Sequence, residues 1–182
     1  MSQVAGKTRM RQARARRTES PAPAAPFGVR DFWWWSSLVL LLAAALLRVL
    51  YLTQKPLHHD EGVNGNFLAT LFRTGSYHYD PRNYHGPTLY YLAVIPTAIN
   101  NVFHWGHGLS TVAIRLVTAA FGVGIVWLML CLRRFLGTPA SLAAAAFATV
   151  SCGFVYFSRY FIHEILFVFF SLGVIVAWLW YR

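Results

Sequence analysis

Acidic residues are scarce in this chain: six Asp and Glu stand against sixteen Lys and Arg in 182 residues. Charged residues of both signs reach 12%, about half of the roughly 25% usual in soluble domains. That deficit excludes an ordinary soluble globular fold. Cysteine is also sparse. Cys131 and Cys152 sit inside apolar runs, with no C-x-x-C and no Cys/His ladder, which excludes a disulfide framework and a zinc finger. Both read as buried small hydrophobes. There is no internal repeat and no stretch that reads as a soluble domain.

What is present is apolar: 57% hydrophobic and 16% aromatic residues, too much for disorder over most of the length. The positive charge is gathered at the front. Residues 1–30 hold seven Lys and Arg against Glu19 alone. This stretch is rich in Pro and Ala and has no apolar periodicity, so residues 1–31 read as a disordered basic tail. Residues 32–182 read as a transmembrane domain. A basic tail on an apolar body points to the lipid bilayer as partner, with the tail cytoplasmic, and no nucleic acid is expected. Arg16-Arg17 is not a twin-arginine signal, because a Pro-rich stretch separates it from the apolar run.

Phe32 to Leu52 is 21 residues with one charge, Arg48. At about 1.5 Å per residue it spans roughly 31 Å, the hydrocarbon thickness of a bilayer. It reads as an uncleaved anchor, with Trp33, Trp34 and Trp35 at one interface and Arg48 snorkelling to the other. Val112–Leu132, Ala140–Phe157 and Ile165–Tyr181 are further plausible spans. Between the anchor and these, residues 53–87 are polar and aromatic. Inside them, Val63, Phe67, Leu68, Leu71 and Phe72 recur opposite Asn64, Asn66, Thr70 and Arg73, the pattern of an amphipathic helix on a membrane surface.

Residues 88–103 decide the topology. They are apolar but 16 long and contain Pro96. If they do not cross, the tail, Arg133, Arg134 and Arg182 fall inside, against Lys55, Arg73, Arg82 and Arg159 outside. The positive-inside rule favours this arrangement. It also puts Asp60, Glu61, Asp80, Glu164 and all seven histidines on the outer side. The expected fold is therefore an all-α integral membrane protein. It has about four transmembrane helices, both termini inside, and amphipathic surface helices in the first outer loop.

Three polar clusters could carry chemistry. His58-His59-Asp60-Glu61 is the densest. Asp60 there is either the N-cap of the following helix or a general base at the water–lipid boundary. A divalent metal is a third reading, although four consecutive residues cannot all face one ion. In His85-Gly86-Pro87, Pro87 would be the first helical residue. His85 would then lie near the positive helix end, either as a phosphate contact or as a plain solvated side chain. In Ser158–Glu164, Arg159 and His163 are i, i+4, as are Tyr160 and Glu164. Glu164 beside an apolar run needs a partner, which Arg159 or His163 could supply. Tyr77, Tyr79, Tyr84, Tyr90 and Tyr91 suit an interfacial belt, and the same rings could stack on a sugar.

In order, an anchor, Asp60-Glu61 opening an amphipathic helix, His85-Gly86-Pro87, Leu89-Tyr90-Tyr91, Arg115-Leu116, Arg133-Arg134 with Gly137, and Ser158-Arg159-Tyr160 before an acid resemble the N-terminal part of the GT-C glycosyltransferases. That superfamily includes the protein O-mannosyltransferases and the lipid A aminoarabinose transferases. The nearest resemblance is to the prokaryotic flippase-activity-associated membrane proteins, and it covers residues 32–182. The resemblance implies a prokaryotic plasma-membrane enzyme that moves a sugar from a polyprenyl-phosphate carrier to an acceptor on the outer face. It implies Asp60 as base and Glu61 as a neighbour holding the acceptor. It implies His85 near the carrier phosphate, Glu164 as the second outer acid, and His59 and Arg159 among the substrate contacts. GT-C members have eight or more spans, so this chain is expected to be an N-terminal portion that works with a C-terminal half or a membrane partner. The alternative is a non-catalytic component that assists the handling or flipping of lipid-linked sugars.

Overall fold

The computed structural model describes residues 28–83, 85–103 and 109–182. Of the expected disordered tail, residues 1–27 lie outside the described residues, as do Tyr84, His104 and His107, while Val29–Asp31 are the first residues of a helix. Contacts divide the chain into residues 1–34 and 35–182. In the first unit the described residues open a helix, where Asp31 Oδ2 accepts the Gly28 N–H at 3.2 Å.

Every regular element among the described residues is an α-helix: α1 (Val29–Val49), α2 (His59–Thr74), α3 (Thr88–Val102), α4 (Thr111–Cys131), α5 (Arg133–Leu136), α6 (Thr138–Val150), α7 (Cys152–Phe157) and α8 (Glu164–Tyr181). Three stretches are long and apolar enough to cross a membrane: Asp31–Val49, Thr111–Leu136 and Glu164–Tyr181. The expected span over 140–157 is instead broken in two at Ser151, which is extended (φ −56°, ψ 119°). Its first part, α6, has 13 residues and rises only about 20 Å.

The break leaves carbonyl acceptors that a buried cation fills. Arg48 was expected to snorkel, but it is fully buried. Its guanidinium donates to Ala148 O at 2.9 Å, Thr149 O at 3.3 Å and Ala44 O at 3.2 Å. Ala148 and Thr149 carbonyls are the ones that residues 152 and 153 would bond if the helix ran on. Arg48 takes them, and the chain turns.

Helix α4 lies at the centre, against α3, α6 and α8, while α2 packs on α3. Leu68 and Leu71 of α2, Leu89, Tyr90 and Ala93 of α3, Ile114 and Val117 of α4, Phe161, and Leu166 of α8 form one buried cluster. Helix α2 forms where periodicity predicts it and ends on Gly75, left-handed at φ 72°, a usual helix stop. Its buried stripe is Glu61, Asn64, Leu68 and Leu71. Asn64, assigned to the polar face, is therefore inside, and Phe72 is exposed. Helix α3 runs through Pro96 unbroken and buries Leu89, Tyr90, Ala93, Thr97 and Asn100 along one side. Pro87 is its N-cap rather than its first residue. Of the two cysteines, Cys131 is half-buried but Cys152, expected to be buried, is exposed. It falls at the kink rather than inside a continuous span.

Gly122 of α4 sits where a side chain has no room. A Cβ there would lie 2.1 Å from Ser158 Oγ and 2.8 Å from Arg48 Nε, and Ser158 Oγ itself accepts from Arg48 Nε at 3.3 Å. Gly122→Ala is expected to push Arg48 and Ser158 out of register and to lower stability by about 1–3 kcal/mol, the usual cost of overpacking. Thermal unfolding in detergent reads this. An unchanged Tm would show that this contact is looser than the geometry demands.

Candidate functional site

The site starts at the first turn of α2. His58, extended at φ −70° and ψ 156°, is the N-cap. Its Nδ1 accepts the Asp60 N–H at 3.3 Å, and the Glu61 carboxylate accepts the His58 N–H at 3.0 Å. This reciprocal box satisfies donors that the helix start would leave open. The cap is thus His58 and not Asp60. One residue apart, the two acids then part ways. Asp60 faces outward, its side chain 63% exposed and 3.4 Å from His58 Nδ1. Glu61 turns inward and is fully buried.

Glu61 meets Arg115 of α4 in a two-pronged pair. Nε donates to Oε1 at 2.7 Å and Nη2 to Oε2 at 2.6 Å. Oε1 also accepts the Phe161 N–H at 2.9 Å. Arg115 uses its remaining donors on the α1–α2 connection: the carbonyls of Leu52, Lys55 at 3.1 Å and Pro56 at 3.1 Å. Burial by itself pushes the Glu61 carboxyl up. The Arg115 hydrogen bonds, the two backbone N–H donors and the guanidinium charge outweigh it and hold the carboxyl below its ordinary value. With both oxygens occupied, Glu61 stays ionised and positions its neighbours.

One turn on, Asn64 Nδ2 donates to Phe161 O at 2.9 Å and Asn64 Oδ1 accepts from Tyr90 Oη at 2.9 Å. Glu61 and Asn64 therefore grip both the N–H and the carbonyl of Phe161. This fixes residues 158–163, which are not helical. The expected i, i+4 pairs Arg159–His163 and Tyr160–Glu164 do not form there, because the backbone bends. Arg159 instead reaches the end of α1 and donates to Leu47 O at 3.3 Å, Leu50 O at 2.8 Å and Tyr51 O at 2.9 Å. Tyr51 is left-handed at φ 58°, a conformation that costs a non-glycine residue about 1–2 kcal/mol.

Beside this connection lies a cavity of about 520 Å³. Leu47, Val150 and Val155 give it apolar walls, Tyr156 and Tyr160 aromatic ones, and Lys55 and Arg159 line it with positive charge. No carboxylate lines it. Lys55 Nζ stands 5.0 Å from the Tyr156 ring centre, a cation–π distance. Beside α2, an open groove of about 540 Å³ is lined by His58, His59, Val63, Asn66, Asp80 and Asn83 among others.

The expected site residues divide accordingly. Asp60, Glu61 and Arg159 gather around the 52–61 and 158–161 segments, and His59 faces the groove. His85 stacks on His163. Glu164 is exposed and forms no ion pair among the described residues. The sequence reading missed the roles of Arg115, Asn64, Lys55, Tyr156 and Tyr160. Arg115 alone carried a signal, as the one charge within α4. No group of three or more His, Cys, Asp or Glu able to hold a metal occurs among the described residues. No family model, curated protein or solved structure matches the chain.

The Glu61 carboxyl lies below its ordinary value in the folded chain, so its contribution is present above that value. It is lost as pH falls through the lower, folded value. Glu61→Gln is expected to cost about 3–5 kcal/mol by leaving Arg115 buried without its counter-charge. Asp60→Asn, at an exposed position, is expected to stay within about 0.5 kcal/mol of wild type. Chemical denaturation of both variants in detergent tests this, and equal effects would remove the distinction between the two acids.

Proposed function

We propose that the chain is a GT-C-like glycosyltransferase, or a portion of one, which moves a sugar from a polyprenyl-phosphate carrier to an acceptor on the outer membrane face. The observations that carry the reading are an exposed carboxylate, Asp60, on the turn that follows the α1–α2 connection, and a cavity beside that connection with cationic lining, apolar walls and no carboxylate among the described residues that line it. A lipid phosphate needs both halves of that cavity: Lys55 and Arg159 for charge, and the apolar wall for the first isoprene units. Tyr160 connects the two features, since it lines the cavity and its ring lies 5.8 Å from that of His58.

In this reading Asp60 takes the acceptor's proton as its nucleophilic atom bonds to the anomeric carbon. Polyprenyl phosphate leaves with the electron pair of the broken carbon–oxygen bond. Glu61 and Arg115 hold the first turn of α2 in place, and His59 and Glu164 serve the acceptor from the outer side. His85 lies at the edge of the site. The membrane arrangement proposed with it has four crossings, the third made by α6 and α7 as a broken span. Helices α2 and α3 lie at the outer surface, and both termini are cytoplasmic. Irregular backbone at membrane depth is tolerated where protein covers it, and Arg48 covers the break at Ser151.

Asp60→Asn keeps the shape and removes the basicity. In membranes that hold the chain together with its C-terminal half or partner, the variant is expected to insert at normal yield. Its transfer from a polyprenyl-phosphate sugar is expected to fall by at least about a hundredfold, the scale of a general base. Near-wild-type transfer would remove Asp60 as base and favour a non-catalytic role in handling lipid-linked sugars. The topology is tested separately. With Cys131 and Cys152 replaced, a single cysteine at position 135 is expected to resist an impermeant thiol reagent added from outside, and one at position 79 to react. The reverse pattern would overturn the orientation.

A further inference from the structure

The rings of His85 and His163 are stacked, with centres 4.5 Å apart and planes 11° from parallel. They join two separate parts of the chain, the 76–87 connection and the start of α8. His163 Nε2 lies 3.2 Å from Gly86 O. A carbonyl only accepts, so Nε2 carries the proton and the neutral ring leaves Nδ1 bare. Nδ1 is buried and has no hydrogen-bond partner among the described residues. On the far side, Tyr77 Oη donates to His85 O at 2.8 Å. The 76–87 connection is thus pinned at two adjacent points, His85 and Gly86.

We propose that the stacked His85–His163 pair is a pH-operated latch: it holds the 76–87 connection against the start of α8 while His163 is neutral and releases it when His163 gains a second proton. A second proton on His163 would sit on Nδ1, where no acceptor waits. A charge on His163 would also sit against the His85 ring, whose centre is 4.5 Å away. The groups facing His163 are few. His85 comes from the connection itself, and Tyr90 of α3 meets it edge-on at 5.3 Å. Tyr90 is pushed up to about 12 by burial and by Tyr77, so it stays neutral throughout the relevant range. Among the described residues the acid acting on it is Glu164, exposed at the start of α8. Burial first, then the His85 charge, lower the proton affinity of His163, against the smaller opposing pull of the Gly86 carbonyl and Glu164.

The sign follows. A histidine whose folded affinity is depressed favours the latched state above its ordinary pKa of about 6.5. The latch weakens as pH falls from there towards the lower folded value. Its release acts on the groove beside α2, because Asp80 and Asn83 of the same connection form one wall of that groove. The inference goes beyond the transfer reading and stands without it, since it concerns the coupling of two segments and needs no substrate.

Hydrogen exchange of the purified chain in lipid nanodiscs, normalised to intrinsic rates, tests it. The reporters are the amides of residues 77–83, including Arg82 and Asn83, which donate to Asp80 Oδ1 at 2.9 Å and Asp80 O at 3.0 Å. Protection there is expected to fall on the order of tenfold between pH 7.5 and pH 5, while α4 stays unchanged. His163→Gln keeps an N–H donor for Gly86 O but does not titrate, and is expected to abolish the pH response. His85→Phe keeps the stacked ring and removes one charge, and is expected to shrink the response. Protection in the wild type that is constant over this range overturns the latch, as does a full response in either variant.

Discussion

The Glu61–Arg115 pair is the constraint on which the rest of the site depends. Two buried charges are costly to desolvate, and a single pair in isolation can be replaced by apolar residues without loss. Here replacement would open other debts. The pair also satisfies the backbone N–H groups of His58 and Phe161 and the carbonyls of Leu52, Lys55 and Pro56. Buried backbone groups of this kind must find partners. One ion pair therefore joins the α1–α2 connection, the start of α2, helix α4 and the 158–163 bend. The direction of the Asp60 side chain follows from it: with Glu61 locked inward at the third helical position, the second position faces out.

The same logic explains how a chain with six acids places arginines that no acid pairs, Arg48 fully buried and Arg159 partly exposed. Arg48 and Arg159 have no carboxylate partner among the described residues and bond instead to carbonyls. Arg48 takes the carbonyls of Ala148 and Thr149 at the end of α6, and Arg159 those of Leu47, Leu50 and Tyr51 at the end of α1. Helix C-termini carry partial negative charge and unsatisfied acceptors, so each arginine fills a need that the fold creates. Arg48 in turn depends on Gly122, because only a residue without a side chain leaves space for Ser158 and the guanidinium against α4. Sequence distance is no guide to these pairings, which join residues about a hundred positions apart.

Much of the helical layout was legible in the sequence. The length and hydropathy of 32–52, 112–132 and 165–181 identify three helices within a few residues, and the periodicity of 63–72 identifies α2. The missing information concerns polar groups inside apolar surroundings. Asn64 reads as surface by residue type, yet it is buried because Phe161 O and Tyr90 Oη converge on it. Arg48 reads as a snorkelling residue, and only the broken carbonyl ladder at 148–149 explains its inward turn. The continuous span over 140–157 fails for the same reason, since hydropathy does not register a helix break that a distant arginine caps. Arg159 and His163 share a face only if 158–164 is helical. The grip on Phe161 that prevents this comes from α2, nearly a hundred residues away.

The α1–α2 connection and α2 border two environments of opposite character. The cavity offers Lys55, Arg159 and apolar walls without a carboxylate. The open groove offers His59, Asn66, Asn83 and the carboxylate of Asp80. In the proposed reading an anionic lipid is matched to the first by charge and by its tail, and a polar acceptor to the second. Transfer between two such molecules requires them to meet at the boundary, with a proton acceptor free to ionise there. Asp60 is the exposed carboxylate on the first turn of α2, and Glu61 beside it has no free lone pair to offer. The proposed base is thus chosen by exclusion as well as by exposure, because the buried pair that fixes the turn leaves Asp60 as the available carboxylate of that turn.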